Sequence, residues 1–252
     1  MRINTAKRRM LEGKLAIGAE VQLGSPLAAE ALSLSGFDFV QVDNQHGAWN
    51  QESTTSALRS ICLGSAVPMV RVQQNDFYAI GGLLDRGALG IVVPMVETVE
   101  QAKAAALAVR YPPQGGRSWG AFGARFHGSD YGEWIDEEVF LAIQIESKLA
   151  VDHVEDIMAV DGVDGCWIGP FDLAKSMGVD LSTSEGKKAH ESAILKVLAA
   201  CHKTNKIPGI WACSGAAKSR IEQGFLFVVA GDDYEFVFDG ANKLLQELGQ
   251  LS

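Results

Sequence analysis

The sequence predicts a single (β/α)8 TIM barrel that occupies residues 1–252. The chain length of 252 residues is typical of this fold. Short β-branched, apolar runs alternate with polar loops and helical stretches eight times along the chain. No low-complexity linker or shift in composition divides the chain, which favours one domain.

The candidate strands are apolar almost throughout, as expected for parallel strands covered on both faces. They are LAIGAEVQ (15–22), FDFVQVD (37–43), VPMVRVQ (67–73), LGIVVPMV (89–96), FLAIQIES (140–147), VDGCWIGP (163–170), KIPGIWAC (206–213) and FLFVVAGDD (225–233). A doubly wound open sheet is the alternative. No GxGxxG motif follows the first strand, so a dinucleotide site is disfavoured.

Helical patterns follow several strands, at residues 27–36, 50–64 and 96–110. The first ends at Ser35–Gly36, a pattern typical of a helix C-terminus. Residues 111–138 depart from the repeat because they are long, aromatic and rich in glycine. Long loops in compact domains are usually functional, so we expect this segment at the active face of the barrel or at a subunit contact.

The composition is that of an ordinary globular protein, with 47% hydrophobic and 21% charged residues. The net charge of −9 disfavours nucleic acid and anionic membranes as partners. We expect the basic run at residues 6–10 to be solvated, and we find no membrane span or secretory signal in the sequence. Four dispersed cysteines without a CxxC motif indicate reduced core residues and a cytoplasmic location.

Two carboxylates end adjacent predicted strands. Glu146 closes IQIES, with Gln144 two residues earlier and therefore on the same face, and Asp172 follows IGPF. They could be salt-bridged, or Asp172 could cap a helix. Alternatively, both could bind a hard divalent cation, with water and substrate completing the coordination.

The IGPFD stretch suggests which ligand such a metal would accompany. Gly169 allows close approach to the backbone, and amides at the start of the next helix can hold a carboxylate. A metal beside such a helix start suits a 2-oxo acid, because the metal can chelate the oxo oxygen and one carboxylate oxygen.

Arg71 and His46 are the other candidates at strand ends. A buried arginine must be paired, so Arg71 is either a structural ion pair or a cation facing charge that develops on an oxygen. His46, taken alone, fits a structural histidine at a turn as well as a proton carrier.

Several motifs occur together in a fixed order. They are FDFVQVDNQHG (37–47), PMVRV (68–72), GALGIVVPMVETVEQA (87–102), RYPPQGGRSWG (110–120), IQIES (143–147) and DGVDGCWIGPFDLAKSMG (161–178). As a set they resemble the HpcH/HpaI aldolase family, the class II metal-dependent pyruvate aldolases, from about residue 10 to 235. The resemblance implies a (β/α)8 barrel, a homo-hexamer built as a trimer of dimers, and reversible aldol chemistry with pyruvate or a close analogue.

The resemblance also implies a role for each matched residue. Glu146 and Asp172 match the metal ligands, His46 the catalytic histidine and Arg71 the arginine that stabilises the enolate. Asp85 matches an aspartate paired with that histidine. The residues implied to bind substrate are Gln144 and the carboxylate cradle of Gly169, Pro170, Phe171 and Asp172. The YPP–GGR segment matches a loop that lines a neighbouring subunit's site.

Three positions bear on substrate choice. The family often has an acid where this chain has Gln45, and an aromatic residue where it has Glu20. Trp211, at the end of strand seven, would narrow the aldehyde pocket. A charged Glu20 would favour a hydroxylated aldehyde as acceptor, or hydroxypyruvate as donor.

Competing functions share the fold. They are a CoA-ester lyase, which would need a basic cluster for the nucleotide, an oxaloacetate decarboxylase, and a barrel that binds 2-oxo acids without turnover. The bound metal is Mg, Mn, Co, Ni or Zn, since oxygen ligands accept each of them.

Overall fold

The structure is a computed structural model that describes residues 3–212 and 215–250. Within those ranges eight parallel strands close into a barrel in sequence order, as predicted. The strands are Ala16–Val21 (β1), Phe39–Asp43 (β2), Val67–Arg71 (β3), Gly90–Val93 (β4), Phe140–Ile145 (β5), Gly165–Ile168 (β6), Gly209–Trp211 (β7) and Phe227–Asp232 (β8).

The helices form the outer layer. They are Thr5–Leu11 (α1), Pro26–Leu34 (α2), Gln51–Ile61 (α3), Phe77–Asp85 (α4), Val99–Val109 (α5), Tyr131–Glu138 (α6), Lys148–Asp152 (α7), Val154–Met158 (α8), Pro170–Met177 (α9), Ser184–Lys203 (α10), Ala217–Gln223 (α11) and Asp233–Glu247 (α12), with a 3₁₀ turn at Arg125–His127. None of the described helices combines the length and the apolar character that a membrane span requires.

Local sequence fixes where the helices start. α3 and α5 each begin with a capping box, Asn50 with Ser53 and Thr98 with Gln101. Each box satisfies backbone N–H groups that the first helical turn leaves open. The capped first turns of α3 and α5 therefore fix the ends of the loops that follow β2 and β4.

An aromatic layer fills the barrel. The ring centroids of Phe39 and Phe227 are 4.7 Å apart, and those of Phe140 and Phe227 are 5.0 Å apart. Gly18 makes room for this layer, because a Cβ at that position would lie 2.2 Å from the Phe39 ring. The barrel interior is therefore packed and cannot serve as a channel.

The basic N-terminal run is not fully solvated, contrary to expectation. Lys7 is buried, and its Nζ donates to the Val139 carbonyl at 2.7 Å and lies 3.1 Å from the Asp164 carboxylate. Asn4 Nδ2 donates to the Leu89 carbonyl at 2.9 Å. α1 is thus fixed across the strand-start end of the barrel, where backbone carbonyls need donors.

The segment at 111–138 is ordered but does not lie at the active face. It follows α5 and leads into β5, so it lies where the strands begin. Buried Arg117 organises it: the guanidinium carbon is 4.5 Å from the Tyr111 ring centroid, and Nη2 donates to Asp85 at 2.6 Å. Of the two expected positions, the active face of its own barrel is wrong, because a connection from a helix to a strand returns the chain to the opposite end. A position at a subunit contact stays a prediction.

The cysteines partly match their prediction. Cys166 and Cys201 are buried thiols, and Cys62 is partly buried. Cys213 lies outside the described residues.

Truncation of the aromatic layer should destabilise the barrel. Phe227→Ala removes the ring shared by both aromatic contacts, and a loss of this kind costs about 3–5 kcal/mol. For a chain of this size we expect the midpoint of thermal unfolding, measured by circular dichroism, to fall by roughly 6–20 °C. Leu27→Ala, at a side chain that is 74% exposed, is the control and should leave the midpoint nearly unchanged. Equal midpoints for both variants would contradict the packed interior.

Candidate active site

A cavity of about 150 Å³ opens at the carboxyl ends of the strands. Its lining residues are Glu20, Gln22, His46, Arg71, Gln144, Trp167, Gly169, Pro170, Phe171, Asp172 and Trp211. Glu146 lies directly behind this lining, since a Cβ on Gly169 would be 3.0 Å from its Oε2. The structure therefore brings together all the site residues predicted from the sequence except Asp85.

Arg71 is both a structural ion pair and a cavity residue. Its Nε donates to Asp43 Oδ1 at 2.8 Å, and its Nη2 donates to Asp43 Oδ2 at 2.6 Å. The two residues are partners in the β2–β3 register, so their side chains leave the sheet side by side. Among the described residues Nη1 has no hydrogen-bond partner, which leaves this donor for a ligand.

Asp43 also positions His46. Its Oδ1 accepts the backbone N–H groups of Gln45 at 3.0 Å and His46 at 3.3 Å, and its carbonyl accepts from Gly47 at 3.0 Å. One carboxylate therefore fixes the Arg71 guanidinium and the turn that presents the histidine. His46 itself is exposed at the cavity.

A second carboxylate lies beside the same guanidinium. Glu20 Oε1 is 3.5 Å from Arg71 Nη2 and accepts from Gln41 Nε2 at 2.8 Å, while Oε2 accepts from Gln22 Nε2 at 3.0 Å. The side chain is only 1% exposed. Glu20 is thus placed to act on Arg71, and direct contact with an aldehyde, as expected from the sequence, would need its present hydrogen bonds to rearrange.

Trp167 supports the guanidinium from another side. The Arg71 guanidinium carbon lies 5.0 Å from the Trp167 ring centroid, within cation–π range. The indole Nε1 is buried without a hydrogen-bond partner, as is Gln144 Oε1. These two unsatisfied atoms belong to residues that line the cavity, and a polar ligand there could satisfy them.

Glu146 is held from two sides. Its Oε1 accepts the backbone N–H of Met95 at 2.8 Å, and its Oε2 accepts from the Gln144 amide. Met95 has φ +58°, a left-handed conformation that is uncommon for a non-glycine residue. The residue in this conformation is the one whose backbone N–H donates to Glu146.

Glu146 and Asp172 form a donor set that suits a hard cation. Burial raises the pKa of Glu146, and the nearby Asp172 charge raises that pKa further. No ion pair to either carboxylate occurs among the described residues. Residues 3–212 and 215–250 contain no cluster of three or more potential metal-ligating side chains. Two carboxylates plus water and substrate match the way Mg²⁺ binds, so the residues fit a divalent cation.

The start of α9 borders this pair. Gly169 is the N-cap residue, Pro170 occupies the first turn, and no side chain caps the helix. The first-turn N–H groups of Phe171 and Asp172 have no partner within the helix and can receive an anion. Phe171 packs on Trp211 with ring centroids 5.5 Å apart, which makes an aromatic wall for the cavity.

Asp85 does not join the cavity in the single chain. It ends α4, at the end of the barrel where the strands begin, and its carboxylate accepts from Arg117. Helices in a (β/α)8 barrel run antiparallel to the strands, so their C-termini point away from the active face. The expected pairing of Asp85 with His46 is absent from the described contacts.

Several residues of the site were missed by the sequence analysis. Asp43, Gln41 and Trp167 were not assigned any role, although all three contact the Arg71 network. A signal was present: polar Gln41 and Asp43 alternate on one face of an apolar strand, and Glu20 and Gln22 do the same. Strand register, which pairs Glu20 with Gln41, is what turns this pattern into a network.

The sequence profile of the HpcH/HpaI aldolase/citrate lyase family matches residues 20–239. A hydroxypyruvate/pyruvate aldolase of Agrobacterium fabrum is 36% identical over 248 residues, which cover 96% of this chain and 91% of the relative. A 4-hydroxy-2-oxo-heptane-1,7-dioate aldolase of Salmonella dublin is 34% identical over 253 residues, covering 98% and 95%.

A solved structure shows the same architecture. The crystal structure of an HpcH/HpaI aldolase/citrate lyase family protein from Burkholderia cenocepacia superposes with a TM-score of 0.89 at 31% identity, covering 97% of this chain and 99% of the other. The similarity therefore extends over the whole barrel and includes the strand ends that form the cavity.

Gly169→Ala should displace the carboxylate pair without unfolding the barrel. The added Cβ would lie 3.0 Å from Glu146 Oε2 and 3.1 Å from Gln144 Nε2, so both groups must move. We expect weaker Mn²⁺ binding by isothermal titration calorimetry, with an unchanged circular dichroism spectrum.

Gly240→Ala is the matched control, because a Cβ there meets nothing within 4 Å. The control should bind Mn²⁺ as the wild type does. Unaltered Mn²⁺ affinity in Gly169→Ala would place the cation away from Glu146.

Proposed function

The chain belongs to the HpcH/HpaI aldolase/citrate lyase family, and from that premise and the geometry of the cavity we propose a divalent-metal-dependent aldolase. The enzyme reversibly joins the enolate of pyruvate or hydroxypyruvate to an aldehyde and so forms a 4-hydroxy-2-oxo acid. The main support is that one small cavity is lined by Asp172, the Arg71 guanidinium and His46, with Glu146 directly behind the lining. Relatives named as aldolases at 34–36% identity support the same activity.

The 2-oxo acid binds between α9 and β3 in this proposal. Its carboxylate accepts from the first-turn N–H groups of Phe171 and Asp172, while its oxo oxygen faces Arg71 Nη1. Glu146 and Asp172 would hold the divalent cation, with Mg, Mn or Co preferred and Ni or Zn as alternatives, and a cation bound there would supply Lewis-acid polarisation of the carbonyl. The Gln144 amide keeps Glu146 in place, since its nitrogen donates to Oε2.

His46 moves the proton. Its imidazole removes a proton from the methyl carbon of pyruvate, and the electron pair of that C–H bond becomes the enolate. Negative charge then grows on the oxo oxygen, where Arg71 stabilises it. The enolate carbon attacks the aldehyde carbon, a C–C bond forms as the C=O π bond breaks, and the resulting alkoxide takes up the proton that His46 removed. Retro-aldol cleavage runs the same steps in reverse.

The aldehyde lies against the Phe171–Trp211 wall. These rings cover one side of a cavity of about 150 Å³, which favours small aldehydes over long ones. Gln45 lies at the turn before His46, and its Oε1 is buried without a hydrogen-bond partner.

We also propose that the chain works as a homo-oligomer in the cytoplasm, with a hexamer as the expected form. Apolar side chains exposed on α12 support association, namely Val237, Phe238 and Leu244 at 65%, 59% and 55% exposure. Trp119 in the 111–138 segment is 73% exposed as well. Because Asp85 lies at the far end of its own barrel, a pairing of Asp85 with His46 would have to join two chains.

Exchange of the pyruvate methyl protons in deuterated water, followed by NMR, separates the roles. Glu146→Gln should lose both Mn²⁺ binding and exchange, because a neutral amide replaces a charged ligand. His46→Asn should keep Mn²⁺ binding and slow exchange by about 10²–10⁴, the usual contribution of a positioned base. EDTA treatment of the wild type should stop exchange, and added Mn²⁺ should restore it.

The control for these variants is His202→Asn, at an exposed histidine on α10. It should exchange at the wild-type rate. Exchange that survives EDTA would rule out the metal, and a normal rate in His46→Asn would remove this residue as the base. Pyruvate binding without any exchange in the wild type would favour a non-catalytic barrel.

A further inference from the structure

The Arg71 guanidinium is shared by two buried carboxylates. Asp43 forms a bidentate pair with it, and Glu20 Oε1 lies 3.5 Å from Nη2. Asp43 and Glu20 are 0% and 1% exposed, so water screens neither of them. One guanidinium can neutralise only one carboxylate, which leaves a surplus negative charge inside the barrel if both are ionised.

The two carboxylates differ in how firmly their charge is held. Asp43 accepts four hydrogen bonds, two from the guanidinium and two from backbone N–H groups. Glu20 accepts from two neutral amides, Gln41 and Gln22, and its contact with Arg71 is longer. If one of the two carboxylates is protonated, it should therefore be Glu20.

The charged groups around Glu20 add to this preference. Asp232 of β8 is its register partner, and Asp233 of α12 accepts the Gln22 N–H at 2.7 Å. Arg71 of β3 is the nearest cation, and His46 lines the same cavity. Burial raises the pKa of Glu20 to about 7, with the Asp43 charge adding to the rise and Arg71 opposing it.

We propose that Glu20 is a proton-controlled second counterion of Arg71 and that its protonation sets how much positive charge the guanidinium presents to the substrate oxygen. The role is that of a positioning residue, and it rests on the proposed aldolase function. With Glu20 neutral, Asp43 alone opposes Arg71, and the guanidinium stabilises the forming enolate more strongly. With Glu20 ionised, part of that stabilisation is lost.

The consequence is an alkaline limb in the pH profile of methyl-proton exchange, where the rate falls as pH rises. As pH rises through about 7, Glu20 loses its proton and exchange should slow on the order of tenfold, the effect of one buried charge several ångströms from the reacting oxygen.

The test compares the pH profile of methyl-proton exchange, at saturating pyruvate and Mn²⁺, in the wild type and Glu20→Gln. Glutamine keeps the length of the side chain and removes the titration, so the alkaline limb should disappear. Glu235→Gln is the control, because it alters a carboxylate at the start of α12 outside the Arg71 network and should keep the alkaline limb. An alkaline limb that persists in Glu20→Gln, or is absent from the wild type, would overturn the proposal.

A second measurement does not depend on catalysis. Because Glu20 holds its proton more tightly when folded, its contribution to stability falls as pH rises from about 4.5 to about 7 and stays lost above that. The unfolding midpoint of Glu20→Gln, measured relative to that of the wild type, should therefore be a few degrees higher at pH 8 than at pH 5.

This pair of results separates the two claims. The difference in midpoint between Glu20→Gln and the wild type could grow with pH while the wild type shows no exchange. That result would support the titration of Glu20 and contradict the aldolase function. A constant gap would overturn the proposal whatever the activity. If Glu20→Gln does not fold, an infrared titration of the wild type can follow the C=O band of protonated carboxyl groups instead. Loss of all such bands near the unperturbed pKa of a glutamate would contradict the proposal.

Discussion

The bidentate pair between Asp43 and Arg71 is the interaction on which the site depends. It joins the ends of β2 and β3, and the same aspartate holds the turn that carries His46. A buried ion pair of this kind adds little net stability, because desolvation offsets the attraction. Its value lies in geometry: it leaves Arg71 Nη1 open and fixes the guanidinium relative to the histidine. The polar turn after β2 is therefore a device for positioning two functional groups with one carboxylate.

The charge balance of the cavity explains why it needs further ligands. Four carboxylates, from Glu20, Asp43, Glu146 and Asp172, lie in or beside the cavity, and Arg71 supplies the guanidinium that faces them. Burial makes the surplus negative charge costly, so a cation near Glu146 and a proton on Glu20 would both stabilise the folded site. Metal binding and proton binding thus relieve the same surplus of negative charge.

Much of the fold and part of the site could be predicted from the sequence. The apolar runs identified all eight strands, because parallel strands buried on both faces have a distinctive composition. The filter of strand ends then selected His46, Arg71, Gln144 and Glu146, and the contact between Gln144 and Glu146 follows from their spacing. Each predicted strand was two to five residues longer than the observed strand, as expected where hydrophobicity continues past the last ladder bond.

The rest depended on tertiary contacts that spacing cannot reveal. Lys7 can be buried because its Nζ donates to the Val139 carbonyl and pairs with the Asp164 carboxylate. Both partners lie over 130 positions away in the sequence. Trp167 is a core residue whose ring also faces Arg71, and nothing in its spacing indicates that contact. Asp85 matched a family motif, but its position at the end of a helix places it on the opposite end of its own barrel.

The decisive measurement is a crystal structure of the chain with Mn²⁺ and pyruvate. The proposed function predicts a cation held by Glu146 and Asp172, the oxo oxygen within hydrogen-bond distance of Arg71 Nη1, and the Asp43–Arg71 pair intact. A cation bound elsewhere, or an Arg71 that turns away from the oxo acid to keep both of its carboxylate partners, would contradict it.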